Sequence, residues 1–153
     1  MFQQLVIRSV LQDDYRQWKQ LWDGYNAFYG RKGLTELSLE ITQMTWSRFF
    51  DAYEPVYALV AENSGQLLGL VHYLFHRSTI QIAPICYLAD IYTSESERGK
   101  GVGRALIEAV YERAIAAGIQ RVYWQTQETN STAMLLYDKV ADRSEFVVYR
   151  KML

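Results

Sequence analysis

The feature that most constrains this chain is a strand, a polar turn and a glycine-rich helix start, in unbroken succession over residues 85–118. Ile85-Cys86-Tyr87-Leu88-Ala89-Asp90-Ile91-Tyr92-Thr93 has the apolar and aromatic content of a buried strand. After Ser94-Glu95-Ser96-Glu97, the run Arg98-Gly99-Lys100-Gly101-Val102-Gly103-Arg104 opens a helix. Val102, Leu106, Ala109, Val110 and Ala114 recur on one face of it, and Gly118 stands where a helix stops. Three glycines in five residues leave the backbone open, so a ligand can come close to the free amides of the first turn. Those donors, the positive end of the helix dipole and the charges of Arg98, Lys100 and Arg104 together favour an anion, typically a phosphate.

The form of the turn narrows the ligand. No Gly-x-x-x-x-Gly-Lys-Ser/Thr run exists, and Gly101-x-Gly103 is followed two residues on by Leu106 where a dinucleotide fingerprint needs glycine or alanine. What stands here is Arg-x-x-Gly-x-Gly, on Arg98, Gly101 and Gly103. In this the chain resembles the GNAT superfamily of acyl-CoA-dependent N-acetyltransferases. A second element is similar as well: Asn130-Ser131-Thr132-Ala133-Met134-Leu135-Leu136-Tyr137-Asp138-Lys139 looks like the family's Asn-x-x-Ala-x-x-x-Tyr-x-Lys helix. More narrowly, residues 87–92 and 122–126 are similar to the branch of yeast histone, polyamine and D-amino-acid acetyltransferases and their bacterial relatives. One departure stands out. Family members usually carry Gly-Phe or Gly-Tyr after the tyrosine helix, and this chain has Val140-Ala141-Asp142.

The resemblance implies that acetyl-CoA is the co-substrate. Its pyrophosphate would lie on Arg98, Gly99, Lys100, Gly101, Val102, Gly103 and Arg104, and its pantetheine arm along Ile91, Tyr92 and Thr93. Asn130, on the same helix face as Tyr137, could line the same ligand. The resemblance also implies a tendency to self-associate.

Composition bounds the class. The 153 residues amount to a single domain, and with half of them hydrophobic a core forms without disulfides or metals. A net charge of −1 argues against a general nucleic-acid or membrane-surface binder. The one cysteine, Cys86, reads as a buried small residue; Cys86, His72 and His76 offer no metal-ligand spacing. No apolar run approaches the ~20 residues that span a bilayer, and no secretory signal is visible, so a cytoplasmic setting is expected.

Along the chain, residues 5–10 read as a strand, Asp13-Asp14 as the cap of a helix through Phe28, and Ser38 as the cap of a second helix ending before Pro55. That second helix has Ile41, Met44, Trp46, Phe49 and Phe50 at its apolar positions. Residues 56–62 and 66–76 are strands around Asn63-Ser64-Gly65, a hairpin turn. The second of them is apolar on both faces and so central, with His72 packed and hydrogen-bonded inside it. Residues 122–125 form the next strand, 130–140 a helix and 145–152 a final strand. The order βααβββαβαβ predicts an α/β fold: a central mixed sheet, helices on both faces and one parallel crossover at the glycine turn. The resemblance adds that the two parallel strands splay apart around the cofactor.

Acetyl transfer to an amine needs a neutral amine, a donor for the charge that grows on the thioester oxygen and a proton for the departing thiolate. Tyr137 is the candidate for the last role, since the resemblance places it beside the sulfur. Backbone amides of residues 91–93 are the candidates for the oxygen. For the base, Asp90 and Glu128 are the available carboxylates; Asp90 is preferred because a charge inside an apolar strand needs a reason, and either could instead be an acceptor anchor or a surface charge. Trp22, Tyr25, Phe28 and Tyr29 form an aromatic stripe suited to a cationic amine. The substrate-binding set is therefore Trp22, Tyr25, Tyr29 and Glu128. Three readings stay open: an enzyme of small amines, an enzyme of protein lysines, or a module that only binds acyl-CoA. The apolar ending Phe146-Val147-Val148-Tyr149 would, at a sheet edge, invite pairing with a second copy.

Overall fold

The computed structural model describes residues 4–153. Five strands form one sheet in the order β1-β2-β3-β4-β5: Leu5–Ser9, Val56–Asn63, Gln66–His76, Ile85–Thr93 and Val122–Tyr123. The first three pairings are antiparallel and β4–β5 is parallel, as a crossover through a helix requires. β3 is the middle strand, which its apolar character on both faces dictates. The β2–β3 turn needs left-handed backbone, and Ser64 (φ 51°) and Gly65 (φ 84°) supply it.

Four helices cover the two faces: α1 (Tyr15–Phe28), α2 (Leu39–Arg48), α3 (Val102–Ala116) and α4 (Ser131–Val140). On one face, Val102, Leu106, Ile107, Val110 and Ala114 of α3 bury against Leu59, Val71, Tyr73, Cys86 and Leu88. On the other, Trp18, Leu21 and Trp22 of α1 and Trp46 of α2 cover Val60, Leu67 and Leu70. Trp18 is fully buried, with the Trp46 ring 4.7 Å away. Gly69 lies where the sheet meets α3: a Cβ there would stand 2.8 Å from the Tyr92 carbonyl oxygen and 3.1 Å from Leu106 and Val102. Cys86 is buried, and that burial pushes its thiol up to about 11. No helix among the described residues is long and apolar enough to cross a membrane.

Four local expectations are corrected. Asp14 does not cap α1 with its side chain; it sits in a 3-10 turn, accepting the Leu11 amide at 2.7 Å and pairing with Arg8. Ile41 and Met44 of α2 are half exposed, because the short helix turns Thr42 and Trp46 inward instead. β5 is two residues long rather than four, since its pairing with β4 ends at Tyr87–Tyr123. The final strand over 145–152 does not form. α4 ends with Ala141 in extended backbone (φ −154°), so the chain leaves without the left-handed reversal a glycine gives. Residues 142–153 are all exposed, Phe146 and Tyr149 among them.

Candidate active site

The sheet opens where β4 and β5 part. Their pairing covers only Cys86–Val122 and Tyr87–Tyr123, so from Leu88 onward the edge of β4 that faces β5 has no strand beside it. The other edge stays paired to β3 as far as Gly69–Thr93. A cavity of about 630 Å³ fills the wedge. Ile91, Tyr92 and Thr93 form one wall, the turn over residues 97–104 the floor, and Asn130, Ala133, Leu136 and Tyr137 of the α4 region the opposite wall. Tyr25, Phe28 and Tyr29 complete it.

The glycine turn is built to receive a group it does not itself supply. Gly101 is the residue before α3, has φ 89° and can offer no side-chain cap. The first hydrogen bond of the helix is Ala105 to Gly101, which leaves the amides of Val102, Gly103 and Arg104 without intrahelical partners. A Cβ on Gly101 would meet nothing within 4 Å, so open space lies beside its backbone. Arg98 is fixed across the mouth: its Nε donates to the Thr93 carbonyl at 3.1 Å, and its guanidinium lies over the Tyr92 and Phe28 rings. Lys100 alone of the cofactor candidates does not line the cavity; it bonds Glu97 at 3.0 Å. Free helix amides, an open strand edge and bare glycine backbone fit a pyrophosphate followed by an amide-bearing arm.

Tyr137 faces the same space from α4. Its ring packs edge-on to Trp124 at 5.4 Å, and burial, with Tyr29 nearby, pushes its hydroxyl up to about 12. It is therefore a firmly protonated phenol near neutral pH.

Asp90 does not itself line the cavity; a bulge in β4 sets it behind Tyr25, which does. β3 and β4 pair His72 with Asp90 but Tyr73 with Leu88, so Ala89 is an extra residue in β4. Leu88 packs on the α3 face, and strict alternation would send Asp90 the same way. The bulge reverses it. Asp90 instead meets His72 Nδ1 at 3.0 Å and accepts from the Tyr25 hydroxyl, on the α1 side. His72 is buried, and the Trp18 indole donates to its Nε2 at 3.0 Å. An indole can only donate, so Nε2 accepts and the proton of the neutral ring sits on Nδ1, aimed at Asp90. Burial pushes the Asp90 pKa up, but the His72 hydrogen bond, Tyr25 and the charge of Arg31 outweigh it and hold the carboxyl below its ordinary range.

Trp22 and Tyr25 stack at 5.3 Å, and Tyr29 lies against Tyr25 at 5.0 Å. Trp22 itself is a buried backing layer, with an indole nitrogen that finds no partner among the described residues. Glu128 is exposed in the turn after β5 and does not line the cavity. Sequence reasoning assigned no role to Arg31, or to Leu136, whose side chain lies 3.4 Å from where a Gly103 Cβ would stand. The signal for Leu136 was present, since it follows Ala133 at helical spacing. Among the described residues, no group of three or more His, Cys, Asp or Glu could hold a metal.

Comparison with known proteins gives this geometry a context. The chain is 35% identical over 149 residues to the D-amino-acid N-acetyltransferase HPA3 of Saccharomyces cerevisiae, covering 96% of this chain and 90% of that protein. Its fold matches the aminoglycoside acetyltransferase AAC(6')-Iy, solved with a bisubstrate analogue of CoA, at a TM-score of 0.81, with 17% identity over 98% of this chain and 99% of that one. An integron cassette protein from the mobile metagenome of V. cholerae matches at a TM-score of 0.78, with 23% identity over 97% of this chain and 92% of that one. The acetyltransferase (GNAT) family matches residues 16–141, and with the cradle, the splayed strands and the yeast relative this establishes that the chain is an N-acetyltransferase of the GNAT family.

Proposed function

We propose that the protein transfers the acetyl group of acetyl-CoA directly to the primary amine of a small molecule such as an amino acid or polyamine. The observation that carries this reading is a cavity lined together by the uncapped α3 turn, the free edge of β4, Tyr137, and Tyr25 and Tyr29 at the end of α1. Donor and acceptor sites thus meet in one space. The name of the yeast relative, with its amino-acid acceptor, supports the small-molecule class.

When bound, acetyl-CoA supplies the acetyl group and a thiolate leaving group. The amides of Val102, Gly103 and Arg104 and the Arg98 side chain hold its phosphates. Ile91, Tyr92 and Thr93 align the arm along the unpaired strand edge, and amides there stabilise the acetyl oxygen as it gains charge. Tyr137 delivers its proton to the sulfur. Asp90 serves as the anchor that draws the ammonium in and orients it. A carboxylate held this low is a poor acceptor for a proton that titrates near ~10.4, so the proton leaves through water in the open cavity.

The reading includes a second copy of the chain as partner. The exposed apolar residues 146–149 and the outer edge of β5, which has no strand beside it, are complementary: each lacks what the other offers.

The test is an acceptor panel of amino acids, polyamines, aminoglycosides and lysine peptides, scored by free thiol released from acetyl-CoA. Turnover of small amines is expected. Release confined to lysine peptides would replace the small-molecule reading, and binding of acetyl-CoA without release would leave a binding module.

A further inference from the structure

Arg31 is held with unusual care for a residue in a loop. Its amide donates to the Asn26 carbonyl at 2.9 Å, and its Nε donates to Asn26 Oδ1 at 2.6 Å. Asn26 is buried and spends its other side-chain atom on the Trp22 carbonyl at 2.9 Å, so it is locked in place itself. The guanidinium then lies over two rings of the acceptor wall, Tyr25 at 5.7 Å and Tyr29 at 5.6 Å. Pinned at the backbone, at Nε and across its face, the fork has lost most of its rotamer freedom.

What the fork lacks is an acceptor. No carboxylate among the described residues comes within ion-pair distance of Arg31, and its two terminal nitrogens make no hydrogen bond there. Yet its charge is felt at Asp90 and at Tyr29. One tyrosine joins the two charges: Tyr25 bonds Asp90 through its hydroxyl and lies under Arg31 with its ring. A fixed anion and a fixed cation thus stand about one tyrosine side chain apart, each with its own supports and neither neutralising the other.

We propose that Arg31 is the carboxylate-reading residue of the acceptor site, and that the acceptor is an amine that also carries a carboxylate, an amino acid. Asp90 takes the ammonium and Arg31 takes the carboxylate through its two unused terminal nitrogens, the bidentate geometry for which a guanidinium is suited. The inference rests on the amine-acetylating reading above and adds a chemical class to it. A polyamine would meet Arg31 with a second positive charge, which the site repels. It also gives Asn26 a reason to be a buried asparagine on an otherwise apolar helix face: its carboxamide is the strut that aims the guanidinium.

The experiment measures initial rates of thiol release for matched acceptors: several D- and L-amino acids, their carboxamides, the amines that lack the carboxyl group, and spermidine. Wild type, Arg31→Gln and Arg31→Lys are compared, with melting temperature and acetyl-CoA affinity recorded for each. Loss of a charge-assisted pair corresponds to about 10- to 100-fold in kcat/KM. Wild type should prefer each amino acid over its carboxamide by that factor, chiefly in KM. Arg31→Gln should abolish the preference, and Arg31→Lys should restore part of it, since a point charge remains without the fork. A wild type that acetylates carboxamides or spermidine as well as amino acids overturns the assignment while leaving the amine-acetylating reading intact. A preference that survives Arg31→Gln also overturns it. If wild type binds acetyl-CoA and acetylates none of these amines, both the assignment and the reading beneath it fall.

Discussion

In the proposed reaction Tyr137 gives the last proton, and its environment makes that role easy to test. Burial holds the hydroxyl neutral, with a pKa pushed up to about 12, so the donor is fully protonated wherever the enzyme is assayed. Tyr137→Phe keeps the ring against Trp124 and removes the proton. Turnover should fall by about 10²–10⁴-fold, with melting temperature and acetyl-CoA affinity nearly unchanged, because the interaction strengthens only as charge develops on sulfur. Wild-type turnover in Tyr137→Phe at saturating amine would return Tyr137 to a packing role. The pH profile follows in sign. An acid with a raised pKa works below that value, so Tyr137 should impose no falling limb until pH nears 12. A carboxylate with a lowered pKa works above it, so Asp90 stays ionised through the mildly acidic range. The visible limb should therefore be the rise of kcat/KM as the acceptor amine loses its proton. A descending limb between pH 8 and 10 in the wild type, absent in Tyr137→Phe, would show that its hydroxyl ionises far earlier than its burial implies.

At the scale of elements, the proposed acetyl-CoA site rests on how closely α3 approaches the sheet and on what its first turn leaves open. Gly101 has left-handed backbone and open space around its missing side chain. Gly101→Asp would put a carboxylate in the phosphate cradle, and the acetyl-CoA dissociation constant should rise at least ~10-fold, about 1.4 kcal/mol. Unchanged calorimetric affinity in the folded variant would remove the cradle from the turn. Gly69 does the opposite job and is filled by its neighbours. In Gly69→Ala, the new methyl would stand 2.8 Å from the Tyr92 backbone oxygen, which cannot rotate away as a side chain can. Overpacking of this kind costs about 1–3 kcal/mol, to be read from the urea midpoint. The displaced segment is Tyr92 itself, so acetyl-CoA affinity should fall together with stability. A stable Gly69→Ala would mean that β3 and α3 have slack which the packing here does not suggest.

For the whole molecule, the open question is what covers the last twelve residues, 142–153, all of them exposed. Phe146, Val147, Val148 and Tyr149 are apolar residues left exposed among the described residues, and proteins seldom leave such a run uncovered. The β5 edge of a second copy would cover it. Light scattering should give a dimer at micromolar concentration for the full chain, and removal of residues 143–153 should give a monomer of lower melting temperature. A full chain that is monomeric with and without acetyl-CoA would refute the exchange. So would a truncated chain that remains dimeric.

Much of the cradle could be read from the chain alone, because its causes are local. A glycine's left-handed backbone, a helix face repeating every three or four residues, and a strand apolar on both sides are properties of neighbours in sequence. These were enough for the glycine turn, the β2–β3 hairpin, the central place of β3 and the shared face of Asn130 and Tyr137. The acceptor side is different, because its causes are distant. Trp18 reaches His72 across 54 residues, and His72 reaches Asp90 across 18. The bulge at Ala89, which turns Asp90 to the α1 face, is a fact of the pairing register and leaves no trace in composition or period. Arg31 became legible only once Asn26 was seen to hold it over Tyr25 and Tyr29. The terminal segment errs in the other direction: its apolar run is that of a strand, yet a strand needs a partner, and only the folded chain shows that residues 142–153 pair with neither edge of the sheet.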